Sequence, residues 1–289
     1  MGKSIDELLE FGILNIDKSS GPTSFNVSDF VRKKLKLRKT SHFGTLDPKV
    51  TGVLPIALNR GCKLTGFFIG HDKEYVGIMR MHEEVSIEKI EKVIKEKFLG
   101  KIRQTPPVKS RVKREERTRE VYEFEILEKE GNDFLFRAKV EGGTYIRKLC
   151  DDLGNELGIG AHMLELRRVS AGIFSEKDLE FVSLYEFEKA VDDFEEGNEE
   201  PLKKMIIPAE EALQKIMKKV EVKKSEIKRL FTGKPIFISD FLKEENLKKF
   251  QHSENVCVFS GSKLIGIYKI VLEREIFAKP EFVLQDIKN

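Results

Sequence analysis

An irregular loop with the sequence TSHFGTLDPKVTG, at residues 40–52, carries one carboxylate. Asp47 lies between the turn-forming residues Gly44 and Pro48, and His42 precedes it. An aspartate before a proline is most often a turn or cap residue, so its type alone does not assign it a function. A functional carboxylate in such a loop would need a cationic partner that keeps it ionised and oriented.

The candidate cationic partners of Asp47 lie far along the chain. Arg147 falls in a segment with helical periodicity, and Arg167 and Arg168 fall in a strand predicted at residues 164–170. Because side chains alternate between the two faces of a strand, one arginine of this pair should point into the protein. An unpaired buried guanidinium is costly, so we expect the inward arginine to meet a carboxylate. The residue types leave the partner of Asp47 open.

An aromatic residue at the start of a predicted strand is a candidate for base binding. Tyr75 follows the polar sequence HDKE and opens a strand at residues 75–81. An aromatic ring at a strand edge beside a basic groove can stack on a nucleotide base. Aromatic residues are also common in strands for packing reasons, and composition favours neither interpretation.

Several classes of catalytic site are excluded by their spacing rules. The five histidines show no HxxxH or HxxEH spacing and the three cysteines show no CxxC spacing, so we expect no metal site. The sequence has neither the GxxxxGKS/T loop of nucleotide-binding proteins nor the GxSxG elbow of serine hydrolases. The GxG at residues 158–160 lacks the rest of a dinucleotide fingerprint, which favours a simple turn. We therefore expect no cofactor.

The charge of the chain is balanced overall but unevenly distributed. The 289 residues include 52 Lys plus Arg and 49 Asp plus Glu, for a net charge of +3. Residues 32–39 carry six basic groups and no acid, and residues 101–119 carry eight basic groups and two acids. Residues 186–200 carry eight acids and one lysine. Two basic segments favour a basic face for nucleic acid, with the acids gathered away from it.

Hydrophobic periodicity predicts strands and helices without the regular alternation of a doubly wound sheet. Helices are expected after the N-cap candidates Ser24 and Ser86 and again at residues 144–157. This order predicts an α+β fold with a mixed, largely antiparallel sheet, in a first domain of residues 1–215. The main predicted strands cover residues 12–16, 53–58, 75–81, 121–127, 134–140 and 164–170.

The remaining residues, 216–289, have short alternating elements such as NVCVFSG and LIGIYKIV, which predict a separate small β-rich domain.

No apolar run approaches the ~20 residues of a membrane helix, and the N-terminal residues lack a signal-peptide pattern. Three widely spaced cysteines offer no disulfide framework, so we expect reduced thiols. These features together predict a cytoplasmic protein that does not bind membranes.

Six blocks of this sequence are GILNIDKSSGPTS, SHFGTLDPKVTGVLPIAL, DKEYVGIMRMH, TPPVKSRVKRE, GGTYIRKLCDDLG and GIGAHMLELRRVSAG. In this order they resemble the motifs of TruB-type pseudouridine synthases. The second block is similar to the archaeal branch of that family, whose eukaryotic relative is dyskerin. The blocks span residues 12–174, and the chain after about residue 220 resembles the PUA domain of this branch. The resemblance implies a pseudouridine synthase fold followed by a small β-barrel-like PUA domain that binds RNA.

The resemblance implies a role for individual residues. Asp47 is similar to the catalytic aspartate, Tyr75 to the tyrosine that stacks on the target base, and Arg167 to the arginine that pairs with the aspartate. His42 is similar to a histidine that holds the base out of the RNA helix, and Leu184 resembles a hydrophobic wall of the pocket. Further substrate-binding residues implied in this way are Lys18, Tyr145 and the thumb-loop residues Lys109, Arg111 and Lys113.

The implied reaction converts uridine to pseudouridine in RNA and needs a carboxylate nucleophile but no metal or cofactor. The resemblance implies two substrate classes, the T-arm uridine of tRNA and rRNA uridines selected by an H/ACA guide RNA. In the second case the partners are the small proteins of the H/ACA particle. An alternative is a catalytically inactive scaffold that binds RNA in a ribonucleoprotein. The presence of Asp47, Tyr75 and Arg167 argues against this alternative.

Overall fold

The computed structural model describes residues 3–106, 113–243 and 247–285, which form two compact units. The first unit ends at Ile207 and the second begins at Pro208. The sequence placed this boundary between residues 215 and 216. The difference corresponds to the helix Ala209–Ile216, which groups with the second unit.

Within the described residues, eleven strands of the first unit form one mixed sheet. Its main order is β10-β1-β3-β8-β4-β7-β6-β5, with β11 beside β1, β2 beside β3 and β9 beside β8. The pairs β1–β10 and β3–β8 are parallel, whereas β1–β3, β4–β8, β4–β7, β6–β7 and β5–β6 are antiparallel. The prediction of a mixed, largely antiparallel sheet is confirmed. The strands are β1 (Gly12–Lys18), β2 (Thr40–His42), β3 (Thr51–Leu58), β4 (Lys73–Met81), β5 (Gly100–Gln104), β6 (Arg117–Glu130), β7 (Asp133–Val140), β8 (Ala161–Ala171), β9 (Phe174–Ser175), β10 (Phe181–Ser183) and β11 (Ile206–Pro208).

Helices of the first unit pack their apolar sides with the sheet residues in one core. Val31 of the second helix, Leu153 of the fifth and Phe187 of the sixth are buried in the same cluster as Ile56 and Phe136 of the sheet. Burial of such side chains contributes about 1.5–3 kcal/mol each. The helices are α1 (Ile5–Glu10), α2 (Ser24–Lys34), α3 (Thr65–Phe68), α4 (Ile87–Val93, continued by a π-helix Ile94–Phe98), α5 (Ile146–Leu157), α6 (Leu184–Glu195) and α7 (Glu200–Met205).

The second unit is built on a five-stranded sheet with the order β12-β14-β15-β16-β13. The pair β12–β14 is parallel and the other pairs are antiparallel. Tyr268, Ile270 and Phe277 are fully buried in its core. Its elements are α8 (Ala209–Ile216), β12 (Lys218–Glu221), α9 (Ile227–Leu230), β13 (Ile236–Phe237), β14 (Asn255–Ser260), β15 (Lys263–Glu273) and β16 (Ile276–Val283).

The three cysteines are free thiols, as the sequence predicted. Burial raises the pKa of Cys150 to about 12 and that of Cys257 to about 11, which keeps both thiols protonated at neutral pH. Among the described residues, no helix is both long enough and apolar enough to cross a membrane.

Candidate active site

Three neighbouring strands bring the motif residues of the candidate site together. Gly52 at the start of β3 lies opposite Arg168 of β8, and Arg168 lies opposite Tyr75 of β4. Gly52 has a φ of +99°, and a Cβ atom there would lie 2.2 Å from the carbonyl oxygen of Arg168. Only glycine fits this close approach between the strands, which explains the second glycine of GTLDPKVTG.

The loop at residues 43–50 connects β2 to β3 and presents Asp47 to solvent. The ring of Phe43 is buried and stacks on Phe68 with a centroid distance of 4.8 Å and an interplanar angle of 7°. Leu46 and Val50 are each only 3% exposed and flank the aspartate on either side. The apolar side chains therefore anchor the loop and leave its carboxylate outside the core.

The backbone of this loop is also held by Ser24. The Ser24 hydroxyl donates to the carbonyl oxygen of Leu46 at 3.0 Å and accepts from the Leu46 amide at 2.8 Å. Ser24 had been predicted as the N-cap of its helix, but Thr23 takes that position and forms a capping box with Asn26. The cap lies one residue earlier because the Ser24 side chain is fully buried against the loop.

Lys18 supports the Asp47 loop from inside the protein. Its ammonium donates to the carbonyl oxygens of Ser19, Pro48 and Val50 at 3.0, 2.9 and 2.8 Å. Burial lowers the pKa of Lys18, and the nearby charge of Asp47 partly opposes this effect. The predicted contact of Lys18 with substrate is wrong for this structure, because the side chain is fully buried and its three donors are already used.

The partner of Asp47 is Arg147, on the first turn of α5. The distance from Arg147 Nη2 to Asp47 Oδ2 is 2.8 Å, and both side chains are about half exposed. The start of α5 is fixed by Gln104, whose side-chain amide accepts from the backbone N–H of Tyr145 at 3.0 Å and donates to its carbonyl oxygen at 3.2 Å. Arg147 was one of the candidates that the residue types left open.

Arg167 does not pair with Asp47, so this part of the sequence prediction is wrong. Its Nη1 and Nη2 atoms bind the two carboxylate oxygens of Asp17, each at 3.0 Å, and its Nε binds Glu176 at 2.9 Å. These hydrogen bonds raise the pKa of Arg167 against the opposing effect of burial. The end of β1 and the segment after β9 place both carboxylates beside Arg167, so its guanidinium is already bound at a different position from Asp47.

Arg168 is the inward arginine of the pair, with 1% of its surface exposed. Its Nε donates to the carbonyl oxygen of Val53 at 2.8 Å and its Nη2 donates to that of Gly44 at 3.1 Å, and it interacts electrostatically with Tyr75 on the neighbouring strand. The expectation of a buried carboxylate partner is wrong. Within the described part of the chain, no carboxylate lies within ion-pair distance of Arg168.

Lys73, which lies two residues before Tyr75, is a second buried cation in this region. Its ammonium donates to the carbonyl oxygens of Ile69, at 2.8 Å, and of His71. Burial and, to a smaller extent, the charge of Arg168 lower the pKa of Lys73 to about 8. Lys18, Lys73 and Arg168 are therefore three buried cations whose described hydrogen-bond partners are neutral groups.

The other predicted pocket residues occupy partly or largely buried positions. His42 Nε2 lies 3.2 Å from the Thr45 hydroxyl, and burial together with the charge of Arg168 lowers the pKa of His42. Tyr75 is 8% exposed, with most of its ring in the core. Tyr145 is partly buried at the start of α5, and Leu184 packs partly buried against the core at the start of α6. The substrate contacts of these four residues stay predictions.

The predicted thumb loop lies mostly outside the described residues. Lys109 and Arg111 fall in residues 107–112, which the structure does not describe. Lys113 is well exposed and forms an ion pair with Glu115. Its contact with RNA stays a prediction.

The basic segment at residues 32–39 lies beside acidic side chains rather than apart from them. Lys34 pairs with Glu188, and Lys36 pairs with Glu195 at 2.9 Å, both across to the acidic helix α6. Further ion pairs join Arg32 and Lys33 to Asp29 and Arg38 to Glu10. The predicted separation of basic and acidic surfaces is wrong here, because two lysines of the basic segment form ion pairs with the acidic helix.

In the described ranges, no three His, Cys, Asp or Glu side chains come together in a way that could hold a metal ion. The site itself combines an exposed carboxylate, its arginine partner and a tyrosine with three buried cations beneath them.

Comparison of the sequence with known families gives two matches that cover most of the first unit. Residues 32–146 match the N-terminal domain of the TruB family pseudouridylate synthases, and residues 147–214 match the tRNA pseudouridylate synthase B C-terminal domain. A probable tRNA pseudouridine synthase B of Methanocaldococcus jannaschii is 45% identical over 245 residues, which are 83% of this chain and 71% of that protein. The corresponding protein of Methanopyrus kandleri is 42% identical over 259 residues, 89% of this chain and 75% of that one.

Two solved structures contain chains that are similar to this one in fold and sequence. A crystal structure of a Cbf5-Nop10-Gar1 complex contains a chain with a TM-score of 0.89 and 36% identity, matched over 98% of this chain and 88% of that one. An H/ACA RNP bound to a substrate RNA containing 2′-deoxyuridine contains a chain with a TM-score of 0.86 and 34% identity, with the same coverage. The chain belongs to the TruB family of pseudouridine synthases.

Proposed function

We propose that this enzyme isomerises uridine to pseudouridine in RNA with Asp47 as its nucleophile. The observation that carries this assignment is the geometry of Asp47, an exposed carboxylate on a loop that Lys18 and Ser24 hold from inside and that Arg147 faces from outside. A structural turn aspartate would not need this support. Membership in a pseudouridine synthase family agrees with the assignment.

The reaction needs no net oxidation or reduction. The bond between C1′ of the ribose and N1 of uracil breaks, the base rotates, and a bond between C1′ and C5 forms. C5 then loses its proton while N1 gains one. Asp47 acts either by attack on C1′ to form a covalent sugar adduct or by assisting the formation of a glycal, and Arg147 orients its carboxylate in both cases.

The proposed roles of the other residues follow from the interactions that the target uridine loses when it leaves the RNA stack. A base that leaves a stack loses stacking energy, which an aromatic side chain can replace. Tyr75 is the proposed stacking partner, and it lies opposite Arg168 in the sheet. His42, with a lowered pKa, is proposed to stand beside the base as a neutral imidazole. Leu184 and Tyr145 are proposed pocket residues, and Lys109, Arg111 and Lys113 are proposed to contact RNA phosphates.

Two RNA substrate classes are proposed, the T-arm uridine of tRNA and uridines chosen by an H/ACA guide RNA. The relatives named tRNA pseudouridine synthase B support the first class, and the similar chains in H/ACA complexes support the second. For guided modification we propose partners like the Nop10 and Gar1 proteins of the similar complex. Reconstitution with and without a guide RNA separates the classes. Product on tRNA without a guide supports the first, and product that requires the guide and the small proteins supports the second.

We propose that the second unit is an RNA-binding PUA domain of a cytoplasmic protein. Its support is a small sheet with its own core and the resemblance of the sequence after residue 220. Ultraviolet crosslinking of the full chain to substrate RNA, followed by peptide mapping, tests this assignment. Crosslinked peptides from residues 216–289 are expected, and crosslinks confined to residues 1–215 would contradict it.

The test of the catalytic role is the substitution Asp47→Asn, which keeps the side-chain shape and removes its charge. Pseudouridine is measured by mass spectrometry of nucleosides after incubation with tRNA or guided RNA. The product should fall below detection. Asp192→Asn, on the exposed side of α6, is the matched control and should retain full activity. Undiminished activity of Asp47→Asn would remove the proposed nucleophile.

A further inference from the structure

We propose that Arg168 is a positioning residue, which fixes the Asp47 loop against the strand of Tyr75 and supplies an uncompensated positive charge beneath the site. This inference rests on the proposed function. Arg168 is buried below the surface that carries Asp47, so it acts on the reaction through the groups that it holds.

The first argument is that one guanidinium joins the loop to both flanking strands. Arg168 donates to Gly44, near the start of the loop, and to Val53, in the strand that follows the loop. Arg168 also lies opposite Tyr75 on β4, and the two side chains interact electrostatically. Both ends of the Asp47 loop and the proposed stacking residue are thus tied to one planar group. A shift of Arg168 would move the nucleophile relative to the base.

The second argument is that the site is built around an arginine specifically. A guanidinium presents its donors in a rigid plane, whereas an ammonium is a point charge on a flexible stem. Gly44 has a φ of +100°, and a Cβ atom there would lie 3.4 Å from Arg168 Nη1 and 3.6 Å from Lys73 Cε. The loop backbone at Gly44 therefore lies beside both cations, at a spacing that a Cβ atom could also occupy. The first glycine of GTLDPKVTG is explained by its left-handed conformation.

The third argument concerns charge. A carboxylate beside Arg168 would cancel its field, but backbone carbonyl groups accept its hydrogen bonds and leave the positive charge in place. The charge of Arg168 contributes to the lowered pKa of His42 and of Lys73, after the larger contribution of burial. A buried ion is costly to a fold. A residue whose only role was packing could be apolar, so retention of this charge points to a role at the site.

The test uses two substitutions and a matched control in the full-length protein. Arg168→Lys keeps the charge and loses the planar fork, and Arg168→Met loses both. Arg137→Lys is the control. Arg137 lies on β7 opposite Val76, and its exposed side chain forms an ion pair with Glu74. Single-turnover rates and RNA dissociation constants are measured separately. Hydrogen exchange reports on the Leu46 amide, which donates to the Ser24 hydroxyl, and on the Val50 amide, which donates to the Asp47 carbonyl oxygen.

We expect Arg168→Lys to lower the single-turnover rate by about 10–100-fold, because a displaced nucleophile loses its alignment. The RNA dissociation constant should change less than about 2-fold, because a buried residue contacts no phosphate. The Leu46 and Val50 amides should exchange at least about 10-fold faster, as expected for a loosened loop. Arg137→Lys should match the wild type in all three measurements.

The effect of the Arg168 charge is measured separately, through the titration of His42. Arg168→Met should raise the titration midpoint of the His42 imidazole in an NMR titration, and Arg168→Lys should leave it in place. A wild-type rate together with unchanged loop exchange in Arg168→Lys would overturn the positioning role. If Arg168→Met does not fold, Arg168→Lys still decides the inference. If the wild type forms no pseudouridine on any RNA, the proposed function fails, while loop exchange and the His42 titration still test Arg168.

Discussion

Asp47 and Arg147 form an ion pair with an Nη2–Oδ2 distance of 2.8 Å, and both side chains remain about half exposed. An exposed ion pair contributes only about 0–1 kcal/mol to folding. The pair therefore has little value for stability. Under the proposed function, its value lies in the orientation of the Asp47 carboxylate.

Replacement of Arg147 should affect the reaction far more than the fold. Charge-assisted hydrogen bonds contribute about 1.5–3 kcal/mol, so Arg147→Gln should lower kcat by about 10–100-fold. The free energy of unfolding should change by less than about 1 kcal/mol, because both groups are solvated. Product formation and urea denaturation give the two quantities.

Arg167→Gln is the informative comparison for this prediction. It removes the hydrogen bonds to Asp17 and Glu176, which are partly buried, so its larger effect should fall on stability. A loss of kcat in Arg167→Gln that exceeds the loss in Arg147→Gln, at equal folded fraction, would restore Arg167 as the functional partner of Asp47.

Lys18→Met should destabilise the first unit by about 3 kcal/mol, because buried carbonyl groups left without a donor cost about 1–3 kcal/mol each. The affected carbonyls include those of Pro48 and Val50 on the Asp47 loop. Lys36→Met removes an exposed lysine that is paired with Glu195 and should stay within about 0.5 kcal/mol of the wild type. A Lys18→Met protein of wild-type stability but with weakened RNA binding would support the original prediction of a substrate contact.

The sequence predicted the elements well where local patterns determine them. The strand expected at residues 134–140 is β7, Asp133–Val140, and Ser86 does cap α4. The alternation in β8 correctly predicted that one of Arg167 and Arg168 points inward. These features depend on periodicity and capping, which are determined by residues close together in the sequence.

The partners of the two arginines could not be predicted in the same way. Arg167 meets Asp17, which is 150 residues away in the sequence, and Arg168 meets backbone carbonyls of a loop whose path no local pattern specifies. The preference of a buried cation for a carboxylate is a sound average rule. It failed here because carbonyl oxygens can also satisfy a guanidinium, and a sequence does not reveal where they point.

Lys73 gives a pH dependence with a defined sign. Its pKa is about 8 in the folded protein against an ordinary value of 10.5, so between these pH values the unfolded chain binds more protons and stability rises with pH. The free energy of unfolding of the wild type minus that of Lys73→Met should therefore increase by about 2 kcal/mol from pH 7.5 to pH 9.5. Urea denaturation at both pH values measures it. A difference that stays constant or falls would show that Lys73 is not held in the buried position described.

The ion pairs of Lys34 and Lys36 with α6 predict how the basic segment at residues 32–39 affects RNA binding. Lys34 and Lys36 are bound to Glu188 and Glu195, so the double substitution Lys34→Gln/Lys36→Gln should weaken RNA binding less than about 2-fold and leave its salt dependence unchanged. Glu188→Gln/Glu195→Gln frees two cations, and each cation that reaches a phosphate should steepen the slope of log affinity against log salt by about 0.7–0.9. Anisotropy titrations between 50 and 300 mM salt measure both variants. A loss of about two phosphate contacts in the lysine variant, seen as a shallower slope of log affinity against log salt, would mean that RNA displaces the acidic helix. The segment would then belong to the RNA-binding face.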